Sequence, residues 1–152
     1  MRNFTSIADV QDLNALINAG RSCKTPDPQY KQQGEGKTLG LIFMNPSLRT
    51  RLSTQKAGIN LGMDVMVMNF SGEGWALETK EGVIMDGNKA EHIIEAAAVI
   101  GEYCDIIGLR SFPGLIDRDA DYSEEFLSNL IKYAGVPVIS LESATRHPLQ
   151  SL

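Results

Sequence analysis

The chain has 152 residues, of which 43% are hydrophobic, and a formal net charge of -5. That length suits one folding unit with a sizeable core. The acidic balance excludes nucleic acid as the main partner, because binding a phosphate backbone needs a basic surface, so any anionic ligand must be held by a few locally placed groups.

Two cysteines, Cys23 and Cys104, are too few for a disulfide framework, and Cys104 adjoins an apolar run where it reads as core. The N-terminus lacks the basic-then-apolar pattern of a signal peptide, and no apolar run approaches the length of a membrane span. The expectation is a cytoplasmic protein with no membrane partner.

From Ser6, a candidate N-cap with Asp9 three residues on, Val10, Leu13, Leu16 and Ile17 recur at helical spacing until Gly20, which predicts an amphipathic opening helix. Residues 24–37 are rich in Pro, Gln, Lys and Gly and predict an exposed connection. Residues 38–44 form a short apolar run suited to a buried strand. Ser47 then opens a helix whose Leu48, Leu52 and Ile59 share one face, and Gly62 closes it.

Residues 65–68 are a second strand, followed by a glycine-bearing loop over 71–87 that holds the one tryptophan, Trp75. Asn88 and Glu91 resemble an N-cap and its N3 partner, ahead of a helical stripe of Ile93, Ala96, Ala97 and Ile100. Residues 106–109 make strand three. Ser123 caps a third helix with Phe126, Leu127, Leu130, Ile131 and Ala134 on one face, Gly135 stops it, and residues 136–141 make strand four.

Alternating strands and helices imply right-handed crossovers. The predicted fold is α/β, a doubly wound parallel sheet of about four strands with helices on both faces. In such sheets the residues just past the C-terminal strand ends gather on one edge, where ligands bind.

Past strand one, Ser47-Leu48-Arg49-Thr50-Arg51 puts two arginines, two hydroxyls and free backbone N–H groups in one helical turn. Orphan N–H groups and the helix dipole attract phosphate, and arginine adds charged, bidentate contacts. A plain N-cap with a solvated face is the competing reading. Cations in a first turn oppose the dipole at about 0.3 to 1 kcal/mol each unless an anion is bound, which favours the anion site.

Arg110 follows strand three and reaches the same edge, either to ligate the same anion or to make a surface salt bridge with Asp105 or Asp117. Glu142, Arg146 and His147 follow strand four, with Pro148 suited to a new helical turn. His92, in a helix with acidic neighbours, is assigned no chemistry. Neither histidine has spaced partners for zinc. Gly72, Glu73, Gly74 and Trp75 read either as a lid or as a place where Trp75 packs into the local core. There is no P-loop, no dinucleotide-binding glycine motif and no nucleophile elbow.

Ser47-Leu48-Arg49-Thr50-Arg51 resembles the Ser-x-Arg-Thr-Arg carbamoyl-phosphate signature of the aspartate/ornithine carbamoyltransferase superfamily, Arg110 falls where that family has a strand-end arginine, and His147-Pro148-Leu149-Gln150 is similar to its His-Pro-x-Gln block. The blocks keep the family's order and spacing across nearly the whole chain. Trp75, the Met85-Asp86-Gly87 segment and Glu142 before Arg146-His147 resemble the branch that carbamoylates N-acylated ornithine for arginine biosynthesis.

The resemblance implies that Ser47, Leu48, Arg49, Thr50, Arg51 and Arg110 hold carbamoyl phosphate, with Thr50, Arg110 and His147 catalytic. Trp75 would reach a neighbouring site in a homotrimer, and Glu142, His147 and Gln150 would lie by the acylornithine and the reacting carbonyl. No metal or organic cofactor is implied. After Lys89 the acetylornithine enzymes carry a glutamate, whereas this chain has Ala90. A small apolar residue leaves room for a succinyl carboxylate, which favours N-succinylornithine over N-acetylornithine.

Residues 1–152 correspond to the first, carbamoyl-phosphate-binding domain of that family. The acylornithine-binding domain is expected to be absent from this chain, and the isolated fragment to be inactive. A plain ornithine carbamoyltransferase and a non-catalytic anion-binding regulatory module are the alternatives.

Overall fold

The structure, a computed structural model, describes residues 2–25, 27–70, 76–87 and 89–150. Four strands, β1 (Thr38–Phe43), β2 (Asp64–Asn69), β5 (Ile106–Arg110) and β6 (Val138–Glu142), form a parallel sheet in the order β2-β1-β5-β6. A two-stranded parallel pair, β3 (Leu77–Glu78) and β4 (Glu91–His92), was not foreseen in the sequence. Two residues are too short for any periodicity to show.

The chain steps from β1 outward to β2 through α3 (Arg49–Asn60). It then returns across β1 to β5 through α4 (Ile93–Tyr103) and reaches β6 through α5 (Arg118–Ser123) and α6 (Glu125–Tyr133). With right-handed crossovers this reversal puts α3 on one face of the sheet and α4 with α6 on the other. The side-chain alternation of β1 agrees. Leu39, Leu41 and Phe43 share a cluster with Leu141, while Ile42 packs with Ile93, Ala97, Leu127 and Leu130. The direction of travel reverses between β1 and β5, and that gap is the topological switch point.

Several local readings need correction. Ser6 and Asp9 form a capping box on the 3-10 turn Ile7–Asp9, whereas the opening helix, α1 (Leu13–Ser22), is capped by Asp12, whose carboxylate accepts from the Ala15 N–H. Gly20 lies inside α1. The exposed connection holds a one-turn helix, α2 (Tyr30–Gln33).

Asn88 falls outside the described residues. Glu91 belongs to β4, and α4 is capped by His92, whose Nδ1 accepts from the Ile94 N–H while Nε2 donates to the Lys80 carbonyl. Ser123 ends α5, a helix capped by Asp117, and Glu124 in a left-handed conformation separates α5 from α6. Each error places a polar residue at the nearest plausible cap, because several candidate caps crowd each boundary and only tertiary position chooses among them.

The face of α3 expected to be apolar and buried is instead exposed: Leu48 is 74%, Leu52 59% and Ile59 55% accessible. α3 meets the sheet through Gly58, where a Cβ would lie 2.9 Å from Val65 and 3.0 Å from Leu39. Close approach through a residue without a side chain leaves the leucine stripe turned outward.

Cys104 is buried, and burial, aided by Asp105, pushes its thiol pKa up, so it acts as core. Cys23 is exposed. Phe4 extends the sheet beyond β6, with its N–H donating to the Val138 carbonyl at 2.9 Å and its carbonyl accepting from the Ser140 N–H at 2.8 Å. Among the described residues no helix is long and apolar enough to cross a membrane.

α4 and α6 cross at Gly101, where a Cβ would come within 1.8 Å of the Ala134 carbonyl oxygen. Backbone cannot yield there without parting the helices. Gly101→Val should lower the unfolding free energy by about 3 kcal/mol, at the upper end of overpacking costs. A urea-unfolding midpoint equal to that of the parent would contradict this.

Candidate anion and active site

The ends of β1, β5 and β6 converge at the switch point, and the loops that follow them carry the polar residues. α3 begins with Leu48 as N-cap in helical geometry (φ -83°, ψ -59°) and no capping side chain. The first helical bond runs from the Leu52 N–H to the Leu48 carbonyl at 3.0 Å. The N–H groups of Arg49, Thr50 and Arg51 therefore have no partner within the helix. Ser47, half-buried, precedes this turn and does not cap it.

The two arginines of the turn differ. Arg49 is exposed and makes no ion pair among the described residues. Arg51 turns sideways, its Nη2 donating to Asn69 Oδ1 at the end of β2 and its guanidinium lying 5.0 Å above the centre of the Phe43 ring. Thr50 accepts at its carbonyl from the Thr54 hydroxyl at 2.7 Å, which secures the turn from behind.

Arg110 ends β5 and joins three strand ends. Its Nε and Nη2 both donate to Glu142 Oε2 at 2.9 Å, and its Nη1 donates to the carbonyls of Asn45 at 3.4 Å and Pro46 at 3.2 Å. The second of these carbonyls lies immediately before Ser47, so Arg110 is brought to the mouth of the anion turn. A register irregularity makes the ion pair possible. Leu109 pairs with Ser140 but Arg110 pairs with Glu142, so β6 spends an extra residue there, as at a β-bulge that re-aims a side chain.

Neither partner anticipated for Arg110 is used. Asp105 accepts from the Thr38 N–H and from Lys37 Nζ, contacts that hold its carboxyl below the usual range, and Asp117 caps α5.

His147 follows on the β6 side, with Nε2 3.9 Å from the same Glu142 oxygen and its side chain 24% exposed. It precedes the 3-10 turn Pro148–Gln150, and its carbonyl accepts from the Gln150 N–H at 3.0 Å. Pro148 is buried and Gln150 exposed. Trp75 lies outside the described residues.

Sequence reading passed over two contributors here, Asn45 and Asn69. Asn45 Oδ1 accepts from the Phe112 N–H at 2.7 Å, closing the β5 loop onto β1, and Asn69 steers Arg51. Asparagine at the end of a strand was the only available signal.

Among the described residues no cluster of His, Cys, Asp or Glu has metal-site geometry. A cleft of about 700 Å³ lies elsewhere, between residues near Cys23 and Tyr30 and the end of α3 at Ala57 and Leu61. Its size does not make it the site, because the convergent charges lie at the strand edge.

A doubly wound α/β domain with a cationic, N–H-rich turn at its switch point belongs to the class that holds small phosphorylated ligands. The model of the aspartate/ornithine carbamoyltransferase carbamoyl-P binding domain matches residues 2–152, and the chain belongs to that family.

The chain is 53% identical over 151 residues to the N-succinylornithine carbamoyltransferase of Bacteroides thetaiotaomicron, covering 99% of this chain and 48% of the relative. It is 42% identical over 118 residues to the N-acetylornithine carbamoyltransferase of Xanthomonas campestris pv. campestris, covering 78% of this chain and 34% of the relative. A variant of N-acetyl-L-ornithine transcarbamylase complexed with carbamyl phosphate and N-succinyl-L-norvaline superposes with a TM-score of 0.87 at 35% identity, over 99% of this chain and 45% of that one. Acetylornithine transcarbamylase complexed with acetylcitrulline superposes with a TM-score of 0.83 at 32% identity, with the same coverage of 99% and 45%. The chain spans about half the length of the curated relatives it matches.

Removing Arg110 alone strands the part-buried Glu142 carboxylate and two carbonyls. Arg110→Gln should cost about 2 kcal/mol, and adding Glu142→Gln should recover part of that loss, because the double variant leaves no unpaired charge. Denaturant unfolding of both variants checks this; equal losses would show that the two side chains are not coupled.

Proposed function

We propose that the protein carrying this chain is a carbamoyltransferase that moves the carbamoyl group of carbamoyl phosphate to the δ-amine of N-succinyl-L-ornithine, releasing phosphate and succinylcitrulline. The observation that carries the reading is the meeting, at one switch point, of the uncapped turn bearing Arg49 with the Arg110–Glu142–His147 group. Residues 1–152 would form the carbamoyl-phosphate-binding domain. The acylornithine surface would come from a second domain.

In this reading the N–H groups of the turn, the hydroxyls of Ser47 and Thr50, and the Arg49 and Arg51 guanidiniums hold the phosphoryl oxygens. The amine, in its neutral form, attacks the carbamoyl carbon. Charge develops on the carbonyl oxygen, where Thr50, Arg110 and His147 donate; the electron pair of the breaking C–O bond leaves with phosphate, which takes up the proton lost by the attacking amine. Arginine pairing steadies the departing dianion, and the alignment of amine and carbonyl contributes much of the remaining rate. No metal enters the scheme.

Glu142 orients Arg110 and His147 through one shared oxygen. Gln150, exposed past His147, faces the acylornithine side, and Trp75 reaches the site of a neighbour in a homotrimer. The reaction serves arginine biosynthesis in the cytoplasm.

The acyl group is read from Ala90, which is small and exposed and whose N–H donates to the Ala76 carbonyl at 2.9 Å. A glutamate there would repel a succinyl carboxylate. The higher identity to an N-succinylornithine enzyme than to an N-acetylornithine enzyme, 53% against 42%, agrees.

Side-by-side assays of the complete enzyme with ornithine, N-acetylornithine and N-succinylornithine should give the highest kcat/KM for the succinyl compound. Ala90→Glu should reduce turnover of succinylornithine at least tenfold, the scale set by about 1.4 kcal/mol of repulsion, while affecting acetylornithine less. An equal effect on both substrates would remove Ala90 from the specificity argument. Arg49→Ala should lower kcat/KM for carbamoyl phosphate by a factor on the order of 10² to 10³ with the melting temperature unchanged. Near-parental turnover at low carbamoyl phosphate would reject the proposed grip. Calorimetric binding without turnover of any amine would point to a non-catalytic anion-binding module.

A further inference from the structure

Glu124 lies between α5 and α6 at φ 47° and ψ 40°, the left-handed region that a glutamate enters only at a cost. Its side chain crosses to the segment after β6. One oxygen, Oε1, accepts from the Ser143 hydroxyl at 2.5 Å, the Thr145 hydroxyl at 2.6 Å and the Thr145 N–H at 3.0 Å. Burial raises the Glu124 pKa, but the Ser143 and Thr145 donors outweigh it and hold the group below its ordinary value, as a carboxylate.

The segment it grips is itself a closed turn. The Ser143 N–H donates to the Arg146 carbonyl at 2.8 Å, and the Arg146 N–H donates to Ser143 Oγ at 3.2 Å. Glu142 immediately precedes this turn and His147 immediately follows it. The backbone bond from the Ser111 N–H to the Glu142 carbonyl, the ion pair of Glu142 with Arg110 and the β5–β6 register tie this strand end to β5.

We infer that Glu124 is a positioning residue: through Ser143 and Thr145 it fixes the turn that sets the distance and direction of His147 relative to Glu142 and Arg110. The inference rests on the carbamoyl-transfer reading for its kinetic consequence, though not for its geometry. The left-handed backbone ends α5 at Glu124, and from there the carboxylate reaches across the gap to Ser143 and Thr145. Glu124 lies outside the anion turn, so its loss should spare phosphate binding.

The test uses two variants of the complete enzyme. Glu124→Gln keeps the size of the side chain but replaces the charged acceptor, and Glu124→Gly removes the side chain while relieving the backbone, which protects against simple failure to fold. Expected in both are faster hydrogen exchange at amides 143–147, unchanged affinity for inorganic phosphate by calorimetry, and a kcat lower by roughly 10- to 100-fold, the scale of an ångström-level misplacement. Thr145→Val, which removes one of the three donors, should fall between parent and Glu124→Gln.

Unchanged exchange at 143–147 in both variants overturns the inference, as does a joint fall of kcat, phosphate affinity and melting temperature, which marks general destabilisation. A parent enzyme that binds phosphate but transfers no carbamoyl group refutes the functional reading alone. Exchange and the nuclear-resonance signal of the His147 ring then still decide the role of Glu124.

Discussion

One guanidinium holds the strand edge together. Arg110 reaches from the end of β5 to Glu142 on β6 and to the carbonyls that follow β1, so three separately folded strand ends share one cation. The contact depends on the sheet. Phe43 stands opposite Arg110 in the β1–β5 register, and the irregularity after Leu109 presents Glu142 rather than Leu141. Without either feature the carboxylate would face the apolar cluster and Arg110 would have only solvent and backbone.

From that anchor the rest of the site takes its positions. The anion turn begins one residue past the Pro46 carbonyl that Arg110 engages, and the β6 loop returns His147 toward the same Glu142 oxygen. Charge is arranged unevenly across the edge. Arg110 is neutralised by Glu142 and Arg51 is steered by Asn69, while Arg49 has no acidic partner among the described residues. In a chain with net charge -5, an unpaired cation beside free helix N–H groups concentrates anion affinity at a single point.

Legibility followed the range of the interaction. β1, β5 and β6 could be read because each is a run of largely buried β-branched or long aliphatic residues, β2 because Val65 to Met68 is a short apolar run although none of it is fully buried, and the αβ alternation followed from them. Gly62 and Gly135 stop their helices as the sequence predicts, and both adopt positive φ, 84° and 72°. Cap positions were misread at Ser6 and Ser123, where neighbouring Asp12 and Asp117 offered equally good oxygens. The α3 face was misread because Leu48, Leu52 and Ile59 have helical spacing, yet contact with the sheet runs through Gly58, which carries no hydrophobic signal.

The sequence by itself determined the strand–helix alternation, the parallel sheet and the cationic turn at Ser47–Arg51, because those features depend on neighbours within a few residues or on the chemistry of one helical turn. The tertiary structure alone decided which carboxylate Arg110 meets, how Arg49 and Arg51 divide between solvent and Asn69, and that Glu124 grips the turn before His147. Those pairings span 18 to 32 residues. Strand order and register, not spacing along the chain, bring their atoms within hydrogen-bond reach.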